Sequence, residues 1–227
     1  MAIVINGSGT VTGISVGGLP DDIVDAGTLA DNAVGLAQMA GGTDGNIITY
    51  DTSGNPAVVA TGSDGQILTS AGADAVPAFE AAADNTPSFS ASRTSGEQSI
   101  PNTTWTKVEF PNELWDTDSA FDTTNDKFVV PSGEGGKYLF NYAARGESLD
   151  AGEQAMLRLY KNGSALDSTR TNGYAAIDNQ QVYIRGSAML ALDAADYIEL
   201  WAYQSEGASR NLHNEYLHFS GIKLIGV

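Results

Sequence analysis

Apolar and polar positions alternate with period two through most of the second half of the chain. In KYLFNYAA, Tyr138, Phe140 and Tyr142 fall on one parity, which predicts a strand with an aromatic face. AMLRLYKNGSAL carries Asn162-Gly163 between two apolar runs. That pair suits a tight hairpin whose central residues need positive φ. QVYIRGSAMLALDAADYIELWAYQ reads as two strands joined near Asp193–Asp196, and YLHFSGIKLIGV as a closing strand. Short strands with regular turn signals and no convincing helix predict a sandwich or jelly roll.

The first half has a different texture. Residues 1–20 alternate short β-like pieces with glycine. Asp25–Ala40 is the one helical stretch, with Thr28 as cap, Asp31 in the box position and Leu29, Ala33, Leu36 and Ala40 at helical spacing. Gly41-Gly42 stops it. A unit then occurs twice: TDGNIIT from Thr43 returns as SDGQILT from Ser63, and Pro56-Ala57 as Pro77-Ala78. Each copy, 43–60 and 63–80, predicts strand, turn, strand. EAAADNTP, Glu80–Pro87, is a small polar linker. Residues 1–85 are thus expected as an extended, glycine-rich stalk or docking region, and residues 86–227 as an all-β head.

Composition sharpens the division. Residues 1–85 contain no Lys or Arg and only two aromatics, Tyr50 and Phe79. A segment so poor in large side chains cannot build a globular core alone. Its Ile and Val must pack on neighbours, and three chains about an axis would supply them. The net charge of −17 repels nucleic-acid phosphate and anionic membranes. The absence of cysteine removes disulfide and thiolate chemistry. There is no basic, apolar leader at the N-terminus and no run of 18 apolar residues, so neither a signal peptide nor membrane insertion is expected.

Three patterns imitate chemistry. Gly13-Ile-Ser-Val-Gly17 has the spacing of a nucleophile elbow around Ser15, but no strand-to-helix context surrounds it. His213 and His218 are five apart rather than four, which does not suit a zinc helix. Asp116, Asp118, Asp122 and Asp126 are spaced somewhat like a calcium loop, with Phe121 and Lys127 where an EF-hand needs Gly and Glu. A looser calcium site at Asp116, Asp118 and Asp122 stays open beside a plain solvated loop. No cofactor, nucleophile or carboxylate pair is expected, which argues against an enzyme.

Residues 88–227 resemble the globular head shared by C1q, tumour necrosis factor-like proteins and many bacteriophage fibre tips. The resemblance rests on SFSASRT, on Val108, Phe110, Asn112, Phe128, Pro131, Gly136, Tyr138 and Phe140, on LRLYKNG, on SAMLALDAADYIELWAY and on FSGIKLI. Ala195 stands where the family usually has Gly. The likeness implies a C1q/TNF-like jelly-roll β-sandwich, with Tyr138, Phe140, Leu190, Leu192 and Phe219 in the core or at a threefold interface. NGSGTVTGISVGGLPDDIVD, LADNAVGLAQMA and the repeats resemble stalk segments of phage tail-fibre-like virion proteins. That implies a homotrimeric, non-enzymatic virion protein, made in the host cytoplasm. Residues 1–85 would hold other virion proteins, and the head would touch a host surface glycan or protein. The polar loops Leu114–Thr124 and Ser205–Asn214 offer Trp115 and Arg210 as contact residues. Decoration of the capsid is the alternative.

Overall fold

The computed structural model describes residues 41–225. The expected helix Asp25–Ala40 and the stretch containing Ser15 lie outside them. The chain divides into two compact units, Met1–Ala82 and Ala83–Val227.

In the first unit each copy of the repeat is a hairpin: β1 (Ile47–Tyr50) with β2 (Pro56–Val59), and β3 (Gln66–Thr69) with β4 (Ala78–Ala81). Both hairpins are entered by the same turn. Asn46 N–H donates to Thr43 O and Gln66 N–H to Ser63 O, each 3.2 Å. Gly45 (φ 77°) and Gly65 (φ 83°) occupy the left-handed position in it, which suits a residue without Cβ. Ile48 is 58% exposed, and Tyr50, Val58, Ile67 and Leu68 are also exposed. A lone two-stranded hairpin is marginal in water, and among the described residues these side chains have little to pack on.

The second unit is a sandwich of two antiparallel sheets. In chain order its strands are β5 (Ser88–Ser92), β6 (Gln98–Ile100), β7 (Thr106–Lys107), β8 (Asn112–Asp116), β9 (Phe121–Asp122), β10 (Lys127–Val129) and β11 (Gly136–Leu149). They continue with β12 (Gln154–Lys161), β13 (Ser164–Ala165), β14 (Thr171–Tyr174), β15 (Gln180–Leu192), β16 (Tyr197–Gln204), β17 (Arg210–Leu212) and β18 (His218–Leu224). One sheet runs β13-β12-β16-β10-β9, with β14 on β12 and β7 on β16. The other runs β6-β17-β11-β18-β5-β8, with β15 on β11. The chain crosses repeatedly between the sheets, as from β10 to β11 to β12 and from β14 to β15 to β16, and the first strand of the head, β5, pairs with the last, β18. This is jelly-roll order.

The alternation legible in KYLFNYAA is the alternation of this sandwich. Tyr138, Phe140 and Tyr142 point into the core, where Phe89 stacks on Phe121 and Phe128 at 4.9 and 5.0 Å and meets Phe219 edge-on at 5.0 Å. Tyr138 buries its ring and donates its hydroxyl to Glu134 O at 2.5 Å. That burial pushes its pKa up to about 12. Leu192 is buried, and Leu190 is partly buried against the same cluster. Gly221 is where the rings come closest to backbone: a Cβ there would lie 2.6 Å from Phe89 and 2.7 Å from Phe140. A 3-10 turn at Asp167–Thr169 ties the sheets together. Thr169 Oγ1 accepts from Leu159 N–H of β12 at 2.9 Å, while its carbonyl accepts from the Tyr142 hydroxyl of β11 at 2.5 Å.

Candidate functional site

The outer face of the β11 sheet is the most unusual surface of the head. Side chains facing away from the core form rows across β15, β11, β18, β5 and β8, set by the strand register. One row is Met189, Leu139, Ile222 and Ser88. The next is Ser187, Asn141, Ser220, Ser90 and Trp115. The third is Arg185, Ala143, His218, Ser92 and Asn112. None of these is Asp or Glu, although the chain carries −17. Met189 is 73% exposed. The hydroxyls of Ser90 and Ser92 are buried without a partner in the chain. A buried polar atom left unpaired costs free energy. Burial holds the His218 imidazole below its ordinary pKa, and its Nε2 lies 3.2 Å from Ser220 Oγ.

The acidic loop beside this face is built by its own backbone. Asp116 accepts from Ala120 and Phe121 N–H, both at 3.0 Å. Asp122 accepts from Thr124 and Asn125 N–H and from the Asn125 amide, and these bonds, the Asn125 side chain first, lower its pKa. Asp118 sits at φ 64° in the turn. Asp126 accepts from Phe110 N–H at 2.6 Å, and burial raises its pKa. Asp116 and Asp122 are thus directed at their own turns, and Asp126 ties the loop to the backbone at Phe110. Trp115 on β8 is 55% exposed. Arg210 is committed locally, donating to Ser148 O and to the Glu206 carboxylate, both at 2.7 Å. His213 and His218 are separated by a 3-10 turn at Asn214–Tyr216 and sit on different strands' ends.

Leu139, Met189 and Ile222 are not among the residues that the sequence patterns mark as functional. Their signal is present: in KYLFNYAA, SAMLAL and FSGIKLI they are the opposite parity to the core residues. What period two does not say is which outward parity stays wet.

Two antiparallel sheets in jelly-roll order define the head as a C1q/TNF-like domain. The C1q domain family matches residues 88–224, and the chain belongs to that family. Domains of this class are commonly trimeric, and theirs is a non-enzymatic fold family. The chain is 27% identical over 110 residues to an uncharacterized protein, YqcC, of Bacillus subtilis strain 168, a match that covers 47% of this chain and 30% of that protein's length. Among solved structures, the globular domain of zebrafish complement 1qA covers 62% of this chain and 98% of its own, at 21% identity and a TM-score of 0.47. Eiger TNF from S. frugiperda covers 63% and 96%, at 15% identity and a TM-score of 0.48.

Proposed function

We propose that the protein is a homotrimeric, non-enzymatic fibre of a bacteriophage particle, whose head contacts the host surface and whose first 85 residues dock to other virion proteins. One observation carries the trimer: three neighbouring outward rows that hold no carboxylate and present exposed Met189 beside Leu139 and Ile222, on a strongly acidic chain. Copies of the same chain suit that face, because elsewhere like charges repel and here there are no carboxylates to oppose. The exposed apolar side chains of the two hairpins support the same assembly. The virion setting is supported by the resemblance of the N-terminal segments and repeats to phage stalks. Host contact is supported by the polar loops Leu114–Thr124 and Ser205–Asn214, since contact residues concentrate on loops held by a rigid scaffold.

Light scattering of the full chain tests the assembly, with three chain masses expected; a clean monomer at micromolar concentration removes the proposal. The setting is tested by adding purified full-length protein to cells before infection, which should slow adsorption of particles. If it does not compete, and particles lacking it adsorb normally but lose capsid robustness, the protein ornaments the capsid instead.

A further inference from the structure

His213 caps the 3-10 turn at Asn214–Tyr216 through Nδ1, which accepts from Glu215 N–H, and this leaves its Nε2 for another partner. The residue follows β17 and lies beside Arg145 of β11, whose carbonyl accepts from His213 N–H at 3.0 Å. On its other side, the register of β17 with β6 sets Leu212 opposite Gln98, which brings Glu97 alongside. Glu147 follows Gly146, the residue of β11 that pairs with Leu212. Three neighbouring strands therefore deliver Glu97, His213 and Glu147 to one patch of the sheet. One ligand atom from each lies within 4.8 Å of the others.

We propose that Glu97, Glu147 and His213 form a binding site for a divalent transition-metal ion, with zinc the best fit. The distances fit ligands of a shared ion better than a hydrogen-bonded network. His213 Nε2 is 3.8 Å from the nearer Glu97 oxygen, too far for a hydrogen bond. In tetrahedral zinc sites with bonds of about 2.0–2.1 Å, neighbouring ligand atoms are about 3.3 Å apart, so closure needs side-chain shifts on the order of an ångström.

Each carboxylate is oriented by one oxygen and leaves the other available. Glu97 Oε2 accepts from the Asn211 amide at 2.8 Å, leaving Oε1 toward His213. Glu147 Oε1 is gripped by Arg145, from Nε at 2.7 Å and Nη2 at 2.6 Å. Its Oε2 has only a 3.5 Å contact with Gln181. Protein groups that fix metal-binding carboxylates in this way are usual around such sites.

The imidazole is placed for the same task. With Nε2 on the metal, the neutral ring carries its proton on Nδ1. The Glu215 carboxylate stands 4.0 Å from Nδ1 and can accept that proton's hydrogen bond after a small turn of its side chain. The 3.3 Å bond that Glu215 N–H now donates to Nδ1 is given up in exchange. Nitrogen in the ligand set selects zinc or a neighbouring first-row ion over calcium, which prefers oxygen alone. Three protein ligands leave a fourth position for water or for a group from another molecule.

The test is calorimetric titration of untagged, full-length protein with zinc chloride, paired with thermal melting. Wild type should bind one zinc per chain and melt several degrees higher with it, while calcium chloride gives neither effect. His213→Ala and Glu97→Gln should each weaken zinc by at least tenfold, with melting temperatures in chelator equal to wild type. Absence of zinc heat in wild type overturns the site, as does undiminished zinc binding by His213→Ala or an equal response to calcium.

Discussion

Gly221 and Phe140 supply a quantitative test of how the head's core is packed. The Phe140 ring is fully buried, with Phe128 at 5.6 Å and Phe219 at 5.9 Å between ring centres. Phe140→Ala should therefore cost about 3–5 kcal/mol, the range for deleting a buried ring that neighbours only partly replace. Gly221→Ala acts in the opposite sense. Its new methyl would sit 2.7 and 2.8 Å from Phe140 atoms and 2.6 Å from Phe89. Overpacking of this kind costs about 1–3 kcal/mol, offset by about 0.5–1 kcal/mol for removing a strand glycine. In the double variant the clash with Phe140 is gone and the added methyl enters the space the ring has left; only the Phe89 contact persists. The double variant should thus be more stable than the sum of the singles predicts, by about 1 kcal/mol, beyond the ~0.3–0.5 kcal/mol scatter of independent sites. Urea unfolding at one fixed chain concentration measures this, since an oligomer's stability depends on concentration. Additivity within that scatter, or a neutral Gly221→Ala, would refute the packing argument.

Three further outcomes are expected. Asp196 is held at about pKa 2 by Lys161, by Asn162 and by Asp193 N–H; its stabilisation is complete above the ordinary value of 3.8 and is lost as pH falls toward 2. Asp196→Asn should therefore be less stable than wild type at pH 7, with the gap closing over that window in acid-unfolding curves. Ala195 sits at φ 69°, where a side chain costs about 1–2 kcal/mol, partly offset by glycine's greater freedom when unfolded. Ala195→Gly should accordingly raise stability by about 0.5–1 kcal/mol, and a lower urea midpoint would contradict the strain. Leu139→Glu places a charge in the acid-free face and should dissociate the assembly while leaving the circular dichroism of the sandwich intact; light scattering that still reports three chain masses would remove that face from the interface.

The parts of the fold that could be read in advance are those governed by neighbours in sequence. Tyr138, Phe140 and Tyr142 announced β11 by parity alone. Asn162 and Gly163 take φ 52° and 76° because the turn type demands it, so the hairpin of β12 and β13 was legible from two letters. The duplication at Thr43 and Ser63 was visible as text and folds as two hairpins. The Glu97, Glu147 and His213 group was invisible for the converse reason. Along the chain the nearest other imidazole to His213 is His218, five positions away, whereas Glu97 and Glu147 beside it in space are more than sixty residues distant. Only the side-by-side order β6-β17-β11 joins them, and no local pattern encodes that order. The acidic loop shows a related limit of spacing. Asp116, Asp122 and Asp126 are spaced like ligands, yet the first two accept from N–H groups of their own turns and Asp126 from Phe110 N–H, sixteen residues back.

The two hairpins of the first unit close on themselves. Thr61, just beyond β2, donates its hydroxyl to Asp44 O and its N–H to Asn46 Oδ1, so the first copy is fastened at its base before the second begins at Ser63. The second opens with its own lock, Ser63 N–H on Gln66 Oε1 at 2.6 Å. Each copy therefore carries its own turn, register and clasp. An unequal recombination that adds or deletes one whole copy leaves the remaining ones chemically complete. The number of copies can change in a single genetic step, in increments of one twenty-residue repeat, without any compensating substitution in the head. Related chains that differ in how many times they spell D-G-x-I are what such a unit would leave behind.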